Sequence, residues 1–477
     1  MMGPPQKMEP KLFYTGVSLA DRIPEDHLVR QIQEHIDFSF VRPAVERFYG
    51  YNGQESVDPI VLMKLMMLLY LEQIPSEREL VRRLAYRLDW MWFCGYDLDE
   101  TLPNHSVLSK ARRRWGSEVF SELFSRILRQ CMKAGLVAGD VLHVDGSCIQ
   151  GNVDMNRLQP VLRLTGQALY DRLEETAEPI HPSGRLTSRS DPEAGVTRKN
   201  GQTVCGYKDH RTVDDAEGII TAAVTTDAAV DEGQLLATVL EQHERNTDSR
   251  PDIVVADTQY GTADNYGELR NKGVRPCIPH TIRKSQKGLF GHDEFRYDPQ
   301  RDCFICPAGQ ELRPYHRNKA RQRIRYQAGK GTCRACALRD RCTQSKYARR
   351  VERHMHQEDI DWADGCFARG RRRHLMRRRR IRAEGTFAEA QRYGFKRARW
   401  RGLEKARIQN LLIASIQNLQ KLIQAKVRRL KSACRAVPAA FFGLCGHAAS
   451  HLNPVSMPQA CWGPIDPPER FQSGLFR

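Results

Sequence analysis

Three acidic residues have the sequence surroundings of metal ligands. Asp145 ends the apolar run VLHVD, Asp257 ends the run IVVAD, and Glu384 lies within RRIRAEGTFAEAQ. A carboxylate at the end of a buried strand costs free energy unless it is paired or bound to a cation. Carboxylate oxygens are preferred ligands of Mg²⁺, and two ions held in this way suit the cutting or joining of a phosphodiester bond. The pattern therefore suggests a divalent-metal site.

Position in the sequence does not by itself identify the ligands of that site. Asp214, Asp215 and Asp227 also stand at or near the ends of strand-like runs. For any single Asp at a strand end, a turn or a helix cap is the more common role. Composition therefore suggests a metal site and leaves its members open.

The balance of charge points to the class of partner. The chain has 477 residues, a formal net charge of +18 and 40% hydrophobic residues. This composition predicts a globular protein with room for two or three domains. The positive excess favours a polyanion, most often nucleic acid, because each phosphate contact releases counterions. An anionic membrane surface is the weaker alternative.

Much of this charge precedes Glu384. The arginines at 371–373 and 377–380 form a dense run, in which a solvated helix face is the usual explanation. So many arginines repel one another without a polyanion, so we favour contact with DNA. Such contacts position a duplex without reading its sequence. We include Arg377, Arg380, Lys396 and Arg399 among the predicted DNA contacts.

The chain shows no sign of export or of a membrane span. Its first residues, MMGPPQKMEPKLFY, lack the apolar core of a signal peptide. The longest apolar run, VLMKLMMLLYL at 61–71, contains Lys64 and is too short to cross a bilayer. We therefore expect a cytoplasmic protein.

The region from about 20 to 135 has helical periodicity. Asp58 followed by Pro59 predicts a helix start, and Ser76 with Glu79 has capping-box spacing. The region ends in LPNHSVLSKARRRWG, where Asn104 or Ser106 could cap a basic helix. Such a helix after a turn is what a helix-turn-helix presents to DNA, and a solvated face of a helical bundle is an equal alternative. The predicted DNA contacts on this helix are Lys110, Arg112, Arg113 and Arg114.

From about 139 the pattern becomes that of strands. The runs VLHVD, TVCGYKDHRTVD, GIITAAVTTD, IVVAD and VRPCIP predict five strands, with a hairpin turn at 215–218 and helices before the fourth and fifth strands. The result is a mixed α/β sheet. Residues 150–200, rich in Pro, Ser, Gly and Arg, are predicted to form a long loop. An apolar stripe returns after 400 on one long helix, with Leu403, Ile408, Leu411, Leu412, Ile416, Leu419 and Leu422.

Residues 290–355 interrupt this order with Arg-rich sequence and five cysteines. Cys303 with Cys306 and Cys333 with Cys336 each form a C-x2-C pair, and Cys342 follows. Two such pairs are a strong signal for a structural Zn²⁺ ion, because two thiolates on a tight turn supply half of a tetrahedron. Free thiols in a loop are the alternative reading.

The ordered set of motifs resembles the DDE transposases of bacterial insertion sequences. It consists of VDGS, then YKDHRTVDDAEGIITAAVTTDAAVDEGQ, then VVADTQYGTADNYGELR, and finally R-x3-E before YGFKRARWRGLEKARIQNLLIASIQNLQKL. The segment PNHSVLSKARRRWG is similar to the end of the helical N-terminal domain of many members. The resemblance covers residues from about 15 to 430, and it is specific only in combination.

The resemblance implies a catalytic domain with the ribonuclease-H-like fold of retroviral integrases. Its three acids map onto Asp145, Asp257 and Glu384, with Asp145 touching two Mg²⁺ or Mn²⁺ ions and the other two holding one ion each. Arg380, four residues before Glu384, matches the R-x3-E element and favours Glu384 over Glu389 as the third acid. The offsets would place Arg380, Glu384 and position 391 on one helical face.

Two positions depart from the family's pattern. Members often have Lys where this chain has Gln391, and Tyr where it has Arg377. In the cysteine region, relatives have a CPAG-like start and a C-x2-C-x5-C run. That match implies Cys306, Cys333, Cys336 and Cys342 as the zinc ligands, with Cys303 as the spare.

We therefore expect an enzyme, a DNA transposase that binds terminal inverted repeats and target DNA and acts as a homo-oligomer associated with the nucleoid. A non-catalytic DNA-binding regulator, a degenerate transposase, or a plain nuclease are the alternatives. The predicted fold is a five-stranded ribonuclease-H-like core after an all-α domain, interrupted by a zinc-ribbon-like insertion. The predicted domains are 15–135 (helical, DNA-binding), 136–289 (core, first part), 290–355 (insertion), 356–430 (core, second part) and 431–477 (disordered tail).

Overall fold

The computed structural model describes residues 18–50, 55–162, 182–199, 201–280, 288–345 and 347–436. The chain divides into two compact units, residues 1–424 and 425–477. The features below lie in the first unit, apart from residues 425–436 of the last helix. The domain boundaries given above remain predictions, and most of the predicted tail lies outside the described residues.

The first part of the chain is helical, as the periodicity predicts. Asp58 accepts a hydrogen bond from the Ile60 N–H at 2.9 Å, and Ser76 accepts one from the Glu79 N–H at 3.2 Å, so both predicted helix starts are confirmed. The helices are α1 Leu19–Arg22, α2 Leu28–His35, α3 Val41–Val45, α4 Pro59–Leu71, α5 Glu77–Leu84, α6 Leu88–Cys94, α7 Ser106–Trp115 and α8 Glu118–Lys133.

The apolar run at 61–71 forms most of α4, which is buried on nearly every side. Such a helix belongs in a protein core. Lys64 is buried with it and donates a hydrogen bond from Nζ to the Phe93 carbonyl at 2.7 Å. No described helix is both long and apolar enough to cross a membrane.

The main sheet contains the five predicted strands and three more among the described residues. Its order is β2-β3-β4-β5-β1-β7-β8, and β6 also pairs with β5. Strands β2, β3 and β4 come from the stretch that was predicted to be a long loop, and that prediction is wrong for these residues. The bounds are β1 Val141–Gln150, β2 Leu158–Leu162, β3 Pro182–Ser188, β4 Gly195–Lys199, β5 Gln202–Asp214, β6 Ile220–Asp227, β7 Ile253–Val255 and β8 Arg275–Cys277.

The directions of the central strands differ on the two sides of β1. β1 pairs antiparallel with β5, and β5 pairs antiparallel with β6. On its other side β1 runs parallel to β7, which runs parallel to β8. The parallel side is connected by α9 Leu236–Thr247 and α10 Ala263–Asn271. The mixed sheet with helices is therefore confirmed.

The cysteine-bearing region forms its own antiparallel sheet in the order β13-β12-β11-β10-β9. A small apolar core of Phe295, Phe304, Leu312, Tyr326, Ala328 and Val351 supports it. Its elements are β9 Arg296–Asp298, β10 Cys303–Ile305, β11 Glu311–Asn318, β12 Arg323–Ala328, the short helix α11 Arg339–Cys342, and β13 Arg350–His354.

The chain then returns to the main sheet through helices. These are α12 Gln357–Gly365, α13 Arg369–Arg379, a π-helical turn Arg380–Glu384, α14 Gly385–Ala390, the 3₁₀ turn Gln391–Tyr393 and α15 Leu403–Ala436. The apolar stripe after 400 is buried from Ile408 to Leu422, as core packing requires. Because α15 continues to Ala436, the first residues of the predicted tail are helical.

Candidate active site

The register of β1 and β7 brings two of the acids together. In this parallel pair His143 lies opposite Val255. Asp145 and Asp257 each stand two residues further along, so the same period of two places them on the same face at the same sheet edge. The sequence predicted that the strand ends at Asp145. In the structure β1 continues to Gln150, so Asp145 lies within it. Asp257 caps the next turn by accepting the Gln259 N–H at 2.9 Å.

The third acid is carried by a helix that the β5–β6 turn holds in place. Arg378 of α13 forms an ion pair with Asp215 at 2.8 Å, and Arg382 donates to the carbonyl of Ala216. His143 contacts the same Asp215 carboxylate at 2.7 Å. Asp215, one of the acids at a strand end, is therefore an anchor for the helix that leads to Glu384.

The π-helical turn changes which arginine meets Glu384. A π-helix has an i to i+5 hydrogen-bonding pattern and often marks a functional site. Arg379, five residues before Glu384, contacts it at 2.9 Å, whereas Arg380 is exposed. Glu384 and Gln391 of the predicted helical face both line the cavity described below, whereas the exposed Arg380 does not, and its role remains a prediction.

Arg379 lies between two of the acids. Its guanidinium is 3.2 Å from Asp145 Oδ1 and 2.9 Å from Glu384 Oε1. Its Nε and Nη1 have no hydrogen-bond partner among the described residues, although the side chain is almost buried. A cation thus bridges two carboxylates through incomplete hydrogen bonding. The two carboxylates favour a positive charge between them. Arg379 supplies that charge but leaves two of its own nitrogens without hydrogen bonds.

The three acids share one open cavity of about 420 Å³. It is mostly polar, and its lining mixes the acids with basic and amide groups. The lining residues include Asp145, Asp257, Glu384, Glu232, Lys208, Gln259, Arg379, Gln391 and Lys396. A cavity of this size and polarity can admit water, ions and part of a phosphodiester.

Burial makes Asp145 harder to ionise. The pKa of Asp145 is raised to about 6, first by its burial and further by the nearby Asp257 and Glu384, while Arg379 opposes the rise. His210 behind the cavity has its pKa lowered to about 3 by burial and by Lys208, so its imidazole is neutral at pH 7. The site therefore gains from a strong positive charge beside Asp145.

Glu232 is a fourth acid in this cavity, and sequence reasoning missed it. Its side chain is 11% exposed and lies 3.5 Å from the Lys208 ammonium. A Cβ atom on Gly146, next to Asp145, would lie 3.2 Å from the Glu232 carboxylate. With its amide oriented to satisfy both polar atoms, Gln259 donates to Glu232 Oε2 at 2.9 Å. The only sequence signal is its place in DEGQ, just before a helix.

Glu389, the rival third acid, points elsewhere. It accepts a hydrogen bond from Gln417 at 3.1 Å and lies 4.0 Å from the Lys421 ammonium. It is not among the described residues that line the cavity. Glu384, whose side chain is 49% exposed, is the helical acid that faces the two aspartates.

Two of the predicted DNA contacts are engaged inside the protein. Arg112 is 3% exposed, pairs with Glu77 and stacks 3.7 Å from the centre of the Trp400 ring. Arg399 donates to the Ile74 carbonyl and lies 4.7 Å from the Tyr70 ring. Both therefore join the helical region to the segment after 394. The prediction of Arg112 as a DNA contact is corrected because it is buried, whereas Arg399 is partly exposed and stays a predicted contact. The other predicted contacts are exposed, namely Lys110, Arg113, Arg114, Arg377, Arg380 and Lys396.

Four of the five cysteines of the insertion line one cavity, and their role as zinc ligands remains a prediction. Cys306, Cys333, Cys336 and Cys342 line one small cavity of about 30 Å³, whereas Cys303 is buried in β10 outside its lining. Among the described residues, no three or more His, Cys, Asp or Glu side chains are arranged to hold a metal ion. In the carboxylate cavity, Arg379 lies between two of the acids.

Two family models match the chain. Residues 17–114 match the Transposase domain (DUF772), and residues 305–423 match the Transposase DDE domain. The second match contains Glu384 and the four cavity cysteines, and Asp145 and Asp257 lie before it. No curated protein matches the chain.

Comparison with solved structures returns transposases at very low similarity. The piggyBac transposase synaptic complex with hairpin DNA is 8% identical, covering 83% of this chain and 81% of that one, with a TM-score of 0.25. The Mos1 mariner paired-end complex with Mn is 12% identical, covering 55% and 71%, with a TM-score of 0.16. At these TM-scores neither likeness carries an argument. The chain is therefore similar to DDE transposases over two regions, one matching the Transposase domain (DUF772) near its N-terminus and one matching the Transposase DDE domain towards its C-terminus.

Proposed function

We propose that this chain is a DNA transposase that binds the inverted terminal repeats of an insertion sequence and catalyses metal-dependent cleavage and strand transfer. The observation that carries the proposal is the convergence of Asp145, Asp257 and Glu384 on one open cavity. The strand order β6-β5-β1-β7-β8, antiparallel on one side of β1 and parallel on the other, supports a ribonuclease-H-like core.

The three acids have the ligand chemistry for two Mg²⁺ or Mn²⁺ ions, although in this structure the described side chains are not arranged around an ion. Asp145 lies between the other two acids, and all three offer the oxygen ligands that hard cations prefer. When bound, two such ions lower the pKa of an attacking water or 3′-hydroxyl and stabilise the leaving oxygen. For the acids to act as ligands, Asp145 must be ionised and Arg379 must release Asp145 and Glu384. Its freed guanidinium is then suited to hydrogen-bond a phosphate.

The exposed basic residues supply the contacts to duplex DNA. Lys396 lines the cavity, Arg377 and Arg380 lie on the helix that leads to Glu384, and Lys110, Arg113 and Arg114 lie on α7. Contacts of this kind are made to phosphates and fix the position of the duplex. Cleavage of two element ends together requires a homo-oligomer, which we propose from the reaction.

We also propose a structural zinc ion in the insertion, held by Cys306, Cys333, Cys336 and Cys342. The four thiols line the same small cavity, and the pKa of Cys342 is raised by burial and by the other three cysteines, while Arg349 opposes the rise. The Gln310 N–H donates to Cys306 Sγ at 3.3 Å, as an amide that supports a thiolate ligand would. Four thiolates leave no open position, so this ion would be structural.

The reaction is tested with purified protein, Mg²⁺ and a DNA duplex that carries the inverted repeats flanking the gene. We expect cleavage at the repeat end and joining to a target duplex, with cleavage lost and binding kept in Asp145→Ala. Hydrolysis without joining would indicate a plain nuclease. Binding by the wild type without cleavage under any metal condition would indicate a non-catalytic regulator and overturn the proposal.

A further inference from the structure

A second cleft lies beside the active site. It has a volume of about 690 Å³ and is formed by α4, α5 and the start of α7 on one side and by the segment 394–400 on the other. Polar and apolar groups contribute about equally to its lining, which also includes one acid, Glu77, paired with Arg112. The lining residues that bear on its ligand are Arg78, His105, Asn152, Arg397 and Trp400.

The two arginines of this cleft are cations without a partner in the described part of the chain, and His105 lies beside them. The side chains of Arg78, His105 and Arg397 have no ion pair or hydrogen bond within the described part of the chain, and both arginines are exposed. Their neighbours Arg112 and Arg399 are instead bonded inside the protein. Unpaired cations that face one concavity favour an anionic ligand with several charges.

One wall of the cleft is an indole ring that is held in place. Arg112 stacks on Trp400 at 3.7 Å, and Tyr70 packs edge-on against it with ring centres 6.2 Å apart. A fixed aromatic ring beside free cations is the usual combination for nucleic acid, because the cations bind phosphates and the ring packs against sugars or bases.

One backbone segment contributes to both the cleft and the active-site cavity. The Gln150 N–H donates to the Lys396 carbonyl at 2.9 Å, and the Ala398 N–H donates to the Gln150 carbonyl at 2.8 Å. Within this paired segment Lys396 lines the active-site cavity and Arg397 lines the cleft. One anionic chain could therefore contact both.

The length of β1 between Asp145 and Gln150 gives an estimate of how far the cleft lies from the active site. Gln150 lies five residues after Asp145 on the same strand, which corresponds to roughly 17 Å at about 3.3 Å per residue. A DNA strand rises about 3.4 Å per nucleotide, so this span equals about five nucleotides.

We propose that this cleft binds the DNA backbone about five nucleotides from the bond that is cut beside Asp145. The inference rests on the proposed function, since it takes that DNA as its ligand. Arg78, His105 and Arg397 contact phosphates, and Trp400 packs against the strand. The helical region thereby holds the same DNA end that the carboxylates cut.

The test measures DNA binding against salt in the Asp145→Ala background, where DNA stays intact. Arg78→Gln/Arg397→Gln removes two cations of the cleft, and Arg82→Gln/Arg129→Gln removes the same charge from exposed, ion-paired positions elsewhere. Each phosphate contact contributes about 0.9 to the slope of log K against log salt. We expect the cleft variant to lower this slope by about 2 and the control to leave it within about 0.5.

A photo-crosslinking amino acid at position 397 locates the contact. We expect crosslinks about five nucleotides from the cleavage position, and crosslinks only beyond about ten nucleotides would overturn the inference. An unchanged slope in a folded cleft variant also overturns it, even if the wild type cuts DNA. A lowered slope in a protein that never cuts DNA would support the cleft and contradict the proposed reaction, so the two failures are distinct.

Discussion

The carboxylate cavity and the cysteine cavity are built in opposite ways. The first is open, about 420 Å³ in volume, and lined by charged groups. The second is about 30 Å³ and lined by four thiols with apolar neighbours such as Phe290, Phe295 and Leu338. A catalytic ion needs open positions for water and substrate, whereas a structural ion is enclosed by its ligands. Size and lining are therefore consistent with the two roles that we propose, a catalytic metal site for the carboxylates and a structural one for the cysteines.

The two cavities also differ in how they are held together. The carboxylates come from distant parts of the chain and are aligned by the β1–β7 register and by the Asp215 anchor. The cysteines come from one short region with a small apolar core. We therefore expect loss of an ion to leave the main sheet folded and to unfold the insertion.

The largest expected effect is on the insertion. Cys336→Ser should abolish zinc binding, which contributes about 10–16 kcal/mol to the folding of small zinc domains. Zinc content by atomic emission should fall to zero, and hydrogen exchange should show loss of protection over residues 290–355. Cys303→Ala, outside the cavity, is the matched control and should keep its zinc. A wild type without zinc but with a protected insertion would contradict the proposal.

The second prediction separates the two helical acids. Glu384→Gln should lower the cleavage rate at least about 10³-fold, because the removal of one member of a catalytic unit has effects of this size or larger. Glu389→Gln should change the rate no more than about threefold, since Glu389 bonds to Gln417 and does not line the cavity. Single-turnover cleavage of an end duplex measures both. The opposite order would move the third acid to Glu389.

Sequence patterns predicted the elements that have strong periodicity. β1, β5, β6, β7 and β8 follow from alternating or apolar runs, and the caps at Asp58 and Ser76 follow from local spacing. β2, β3 and β4 were missed because their sequence does not alternate clearly. They are ordered by pairing that extends outwards from β5.

The site could be predicted only in part. Asp145 and Asp257 follow from strand ends, but the choice among several such acids and the choice of Glu384 came from family resemblance. The contact of Glu384 with Arg379, five residues before it, depends on a π-helical turn. No sequence pattern indicated that turn. Arg112 lies in a basic run that suggested exposure, and its burial depends on Trp400, far away in the sequence. Long-range contacts of this kind leave no local signal.

The third prediction uses the raised pKa of Asp145. A carboxyl whose pKa rises from 3.8 to about 6 on folding stabilises the fold below pH 4 in its neutral form, and this contribution is lost as the pH rises through 6. Asp145→Asn should therefore stabilise the metal-free protein by about 3 kcal/mol at pH 8.

At pH 4 that gain should disappear. Urea unfolding in EDTA at the two pH values measures the difference. Cys303→Ala has no acid to titrate in this range, so its effect should be the same at both. An equal gain for Asp145→Asn at pH 4 and pH 8 would show that burial does not raise the pKa of Asp145.

The smallest effect is expected at Glu232, which tests whether the open cavity uses a fourth acid. Glu232→Gln keeps the size of the side chain and removes a charge near Asp145. Groups that support metal ligands typically change metal affinity 10-fold to 100-fold, and we expect Mn²⁺ binding by calorimetry to weaken about 10-fold. Glu241→Gln, an exposed position on α9, is the control. If both variants bind Mn²⁺ as the wild type does, Glu232 only orients Lys208 and Gln259, and the site is limited to three acids.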